Sequence, residues 1–186
     1  MRFERHPNQH LNMTETQSRA AMAFYLNNAY PNQGLQQSLF EAFASDFHGE
    51  PELALRFLSE AADLQSGDDL ESMLAICSHF GAFTSSAVPL LCRLLLAGFH
   101  TRHEDIARYL QDLRDIRSIQ SLYDACFLTL PYFYDDGDAL ARKCTWALHD
   151  IGTPEAYAAL RKLTRHPRPP VVEFALKRLP KNSPFE

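Results

Sequence analysis

The stretch that decides the fold is Leu148-His149-Asp150-Ile151-Gly152-Thr153-Pro154-Glu155-Ala156-Tyr157-Ala158-Ala159-Leu160, because the chain has already written it once. Leu110-Gln111-Asp112-Leu113 aligns with its first four residues and Ile119-Gln120-Ser121-Leu122 with its last four, at one offset of 38 residues and without a gap. In both copies an apolar helical run ends at Leu113 or Ile151, and a short connector leads into a second amphipathic helix. Repetition at this period is the mark of stacked helical hairpins, each hiding its apolar flank on the next. The later connector explains itself. Gly152 suits a left-handed helix end, Thr153 is a good N-cap and Pro154 fits the first helical position. Asp115 stands where Thr153 stands in the other copy.

Working outward, a looser copy precedes both: Phe80-Gly81 ends a helix, Ser85 or Ser86 caps the next, and Ala87-Val88-Pro89-Leu90-Leu91-Cys92 continues it. Beyond the last hairpin, Pro169-Pro170 breaks the chain and Val171–Leu176 opens a closing helix that stops at Pro180, a half-repeat cap. Upstream, apolar residues at helical spacing predict helices over Thr14–Ala29, Leu35–Phe47 and Glu52–Leu64, punctuated by Pro31 with Gly34, Gly49 with Pro51, and Ser66-Gly67-Asp68. No alternating run flanked by a two-residue turn suggests a strand. The expected organisation is an N-terminal tail over 1–13, a helical segment over 14–66, repeats with a capping helix over 67–180, and a tail over 181–186.

Composition is that of an ordinary globular chain, 46% apolar and 22% charged. The net charge of −5 argues against a general affinity for nucleic acid, and it suits a basic protein partner. Cys77, Cys92, Cys126 and Cys144 form no Cys-x-x-Cys pair and read as small buried hydrophobes. The start, Met-Arg-Phe-Glu-Arg-His-Pro, offers no secretory signal, and Arg93 interrupts the most apolar run, Ala87–Phe99. A cytoplasmic protein without membrane contact is expected.

The phrase Leu140–Ala156, with its Ala-Leu-x-x-Ile-Gly-x-Pro core, resembles the repeat of HEAT proteins of the PBS-lyase type, and Leu113–Ile119 is similar with Ile116 in place of proline. The resemblance covers about residues 69 to 179 and implies an all-α, HEAT-like α-solenoid of about three hairpins plus a C-terminal capping helix. Together with the chain's size and the Thr101–Ile106 lead-in, Leu140–Leu148 also resembles small bacterial HEAT-repeat immunity proteins that accompany polymorphic toxins. What that implies is a non-enzymatic protein that binds and neutralises a cognate, basic toxin domain. HEAT proteins include other classes: pigment-handling lyases, di-iron hydroxylases that need several His-Glu pairs, DNA glycosylases with a basic face, and scaffold subunits. This chain has one such pair, His103-Glu104.

No catalytic, cofactor-binding or metal-binding residue is assigned. His100-Thr101-Arg102-His103-Glu104-Asp105 has the right residue types for a metal, but Glu104 and Asp105 also suit a helix start. The partner-binding candidates are Tyr123 and Asp124 on the second helix of the middle hairpin, Tyr132, Tyr134, Asp135, Asp136 and Asp138 in the acidic aromatic segment between hairpins, Trp146, and Asp150. Aromatic anchors beside acids suit a basic partner. Each has a plainer role as well: Tyr132 as core edge, the loop acids as caps, Trp146 as filler between repeats, Asp150 as a bond to its neighbour. The 135–138 loop and the 113–118 connector belong on opposite edges of the stack.

Overall fold

The computed structural model describes residues 50–180, so the helices expected over Thr14–Ala29 and Leu35–Phe47, and both tails, lie outside the described residues. Among those described there are eight α-helices, two 3-10 turns and no strand. The chain divides into two compact units, Met1–Ala82 and Phe83–Glu186.

In the first unit, α1 (Pro51–Asp63) and α2 (Gly67–His79) form a hairpin. Phe57, Leu58 and Ala61 on α1 and Leu70, Met73, Ile76 and Cys77 on α2 are buried. Helix α1 ends in a Schellman turn: Gln65 is left-handed (φ 53°), its N–H bonds the Ala62 carbonyl, and the Ser66 N–H bonds that of Ala61. Ser66 Oγ then turns forward to the Asp69 carboxylate at 2.8 Å.

The second unit is a two-row stack. One row is α3 (Val88–Leu95), α5 (Ile119–Ala125) and α7 (Pro154–Leu163); the other is α4 (His103–Leu113), α6 (Asp138–Ile151) and α8 (Pro169–Arg178). Neighbours within each row pack together, and α6 also packs on α5 and α7. Leu91, Leu95, Ile106, Leu110, Leu122, Leu148, Leu160 and Leu163 are fully buried between them. Each such side chain contributes about 1.5–3 kcal/mol by leaving water. This is the HEAT-like α-solenoid of helical hairpins, closed by α8.

The connectors work as expected in the later copy. Gly152 is left-handed (φ 71°), Thr153 Oγ1 accepts the Ala156 N–H at 3.3 Å, and Pro154 opens α7. In the earlier copy Arg114 takes the left-handed place (φ 50°), and Asp115 caps a 3-10 turn, Ile116–Ser118, rather than the α-helix itself. Two expectations need correction. Neither Ser85 nor Ser86 caps α3: a 3-10 turn, Ser85–Ala87, leads in, Ser86 Oγ bonds Thr84 Oγ1, and Pro89 in the first turn of α3 has no N–H to satisfy. Cys92 is half-buried, unlike the other three cysteines, because it faces the edge where the Arg117 carbonyl lies 4.0 Å away.

Candidate interaction surface

Between α5 and α6 the chain runs through Phe127–Gly137, and nearly every residue from 132 to 138 is tied down. The Tyr132 hydroxyl bonds His103 Nδ1 at 2.6 Å. The Phe133 ring lies so close to Gly137 that a Cβ there would stand 3.0 Å from it and 3.2 Å from the Leu128 carbonyl, and φ is +83°; only glycine fits. Asp135 accepts the N–H of Gly137 at 3.1 Å and of Ala139 at 2.8 Å, capping α6. Arg168, from the α7–α8 loop, closes the far side: it donates to the Asp138 carboxylate and the Cys126 carbonyl, each at 2.9 Å, and to the Asp136 carbonyl. Asp136 itself is left-handed, φ 53°.

The histidines behind this loop are fixed by their partners. The Ala97 carbonyl can only accept, so His103 Nε2 donates to it at 2.8 Å and Nδ1 takes the Tyr132 O–H. His100 Nδ1 accepts the Arg102 N–H at 3.1 Å, leaving Nε2 to donate to the Leu94 carbonyl at 2.9 Å. The two imidazoles stack at 4.3 Å. Burial, with the stacked His100, pulls His103 down to about 4, and burial lowers His100 too. Burial and the Glu104 charge push Tyr132 up to about 12. All four ring nitrogens are engaged, so the imidazoles that had the right types for a metal have no lone pair to give. No group of three or more His, Cys, Asp or Glu placed to hold a metal occurs among the described residues.

One residue of the loop stands apart: Tyr134 is 92% exposed. It sits between the Phe133–Gly137 contact and the Asp135 cap, on backbone that is held from three sides. Asp136 is the other free carboxylate there; Asp135 and Asp138 are engaged with the chain itself.

The remaining candidates fall elsewhere. Tyr123 and Asp124 lie on α5, where Asp124 accepts from Gln120 at 2.8 Å and the Tyr123 ring meets Phe127 at 5.3 Å. Trp146 and Asp150 lie in the later turns of α6. Trp146 is 40% exposed, with the Arg178 guanidinium 3.2 Å above its ring, so it is neither bare nor buried filler. Asp150 accepts from Gln111 at 2.6 Å, the bond between repeats that its recurrent position suggested. Asp138 and Asp150 begin and end one helix, about 18 Å apart. The candidates therefore fall on α5, around the start of α6 and toward its end, not in a single patch.

Arg168 and Phe127 were not singled out from sequence. A signal was present for the first: His100-Thr101-Arg102 and His166-Pro167-Arg168 are the same device, an imidazole Nδ1 accepting the N–H of the arginine two residues on, 3.1 Å in both.

Residues 140–166 match the family described as PBS lyase HEAT-like repeat, the span of α6, its connector and α7. No curated protein and no solved structure matches the chain significantly. No helix among the described residues is long and apolar enough to cross a membrane.

Proposed function

We propose that this chain is a non-enzymatic protein-binding module whose docking element is the 131–138 loop, and that it serves as an immunity protein, neutralising a bacterial toxin domain by covering its active site. One observation carries the reading: Tyr134 is 92% exposed on backbone that its neighbours immobilise. An aromatic side chain in water has no reason within the fold. On an already ordered loop it docks with little entropy left to lose, which is how tyrosine anchors work. The free Asp136 beside it suits a basic rim on the partner and would speed encounter. HEAT-like stacks commonly present such edges to other proteins, and the likeness to immunity proteins in Leu140–Leu148 supplies the kind of partner. The lyase-type alternative rests on a name attached to a repeat matched over 140–166.

The test is affinity capture from the native host with the full chain and with Tyr134→Ala as baits. The expected result is one protein held in equal amount by the full chain, lost by the variant, and inhibited in its own activity when bound. A partner held equally by both baits would remove the loop from the proposal. A purified chain carrying a tightly bound chromophore would favour the lyase-type alternative.

A further inference from the structure

Charge is unevenly distributed along the chain. Residues 50–139 hold fifteen Asp and Glu against six Lys and Arg; residues 140–180 hold three against eight. In the later stretch Arg168, Lys143 and Lys177 are paired with Asp138, Glu104 and Glu173, and Arg178 covers Trp146. Arg142 on α6 and Arg161, Lys162 and Arg165 on and just after α7 are exposed and pair with no carboxylate among the described residues, and only the last three are clustered.

Their positions are those of Tyr123, Asp124 and Phe127 one repeat earlier, at the same offset of 38. Helices α5 and α7 pack side by side, and Phe127, 45% exposed, meets His166 at 4.2 Å. One face thus carries two exposed or half-exposed rings on and just after α5 next to three unpaired cations on and just after α7. The helix dipole favours a cation in a last turn, but α4 and α5 end without any. Arg165 lies beyond the end of α7, where the dipole argument does not reach it. The dipole does not explain three cations left unpaired on one face.

We infer that the face formed by Arg161, Lys162 and Arg165 beside Tyr123 and Phe127 is a second docking surface, and that its occupant is a short acidic protein segment bearing an apolar side chain. Carboxylates meet the three cations, and the apolar side chain lies on the two rings. The cations span about 6 Å of helix, enough for two or three acidic residues. An extended polyanion fits less well, because Asp124 holds the repeat position of Lys162 and residues 50–139 are acidic. This surface is independent of the Tyr134 loop, and either can fail alone.

The test uses the full chain and a fluorescein-labelled peptide of alternating Glu and Phe, with a Lys-Phe peptide and an oligothymidylate as comparison probes, read by anisotropy and by amide NMR shifts. The acidic peptide should bind, weaken with salt, and shift amides of residues 120–127 and 157–166. The triple variant R161E/K162E/R165E should bind it at least about tenfold more weakly, since each pair is worth up to ~1 kcal/mol and reversal adds repulsion. All three residues are exposed, so the variant should keep its melting transition, and Tyr134→Ala should bind the peptide as the unaltered chain does. Equal binding by the triple variant, shifts confined to other residues, or tighter binding of the oligothymidylate would each overturn the proposal.

Discussion

The two copies that repeat at 38 residues, α4–α5 and α6–α7, have nearly the same buried face and different joints, and only in the later one do the two helices pack closely on each other. Leu110 and Leu148 are both fully buried, as are Leu122 and Leu160. Gly152-Thr153-Pro154 turns directly into a ten-residue α7, whereas Arg114-Asp115 leads into a three-residue 3-10 turn, Ile116–Ser118, before a seven-residue α5. Ile116 is left 61% exposed where the later copy has proline. The buried stripe sets the fold, and the joint sets how regular each copy is. The family match lies on the more regular copy, residues 140–166.

If the core is shared in this way, Leu110→Ala and Leu148→Ala should each cost about 2–5 kcal/mol, measured by urea unfolding. A large cost at one and a negligible cost at the other would break the equivalence of the copies. Next in size is the clamp between hairpins. Arg168→Ala removes three bonds, two of them part-buried, so it should destabilise by about 1–3 kcal/mol and loosen the 131–138 loop. Acid should act on the same loop from its other side. His103 is held at about 4, below its ordinary 6.5, so folding favours its neutral form. That contribution is complete above pH 6.5 and is lost as pH falls from there toward 4, as Nδ1 takes a proton and the Tyr132 hydroxyl must turn from donor to acceptor. Removing the titrating group with His103→Gln should flatten this dependence, followed by loop amide exchange against pH. The smallest effect belongs to the joints: Arg114→Gly should stabilise by about 0.5–1 kcal/mol and Gly152→Ala destabilise by about 1 kcal/mol, because both sites are left-handed.

Much of the fold was legible because helical spacing and turn chemistry are local. The 38-residue offset, the Gly152 end, the Thr153 cap and the closing helix after Pro169-Pro170 can all be read within a few residues. The surface was legible in part. The aromatic acidic segment marks itself by composition, yet composition cannot say that Asp135 caps α6 or that Asp138 belongs to Arg168, thirty residues on. Tyr132 likewise finds His103 only once the helices are stacked. Local bonds took Asp124 and Asp135, long-range bonds took Asp138 and Asp150, and Tyr134 is left the most exposed of the candidate aromatics.

An ordered loop presenting Tyr134 is the premise on which the functional reading stands, and amide hydrogen exchange of the free chain tests it most directly. The Gly137 and Ala139 amides, bonded to Asp135, should exchange markedly more slowly than unstructured amides, and Arg168→Ala should speed both. Exchange at the unstructured rate in the unaltered chain would contradict the account.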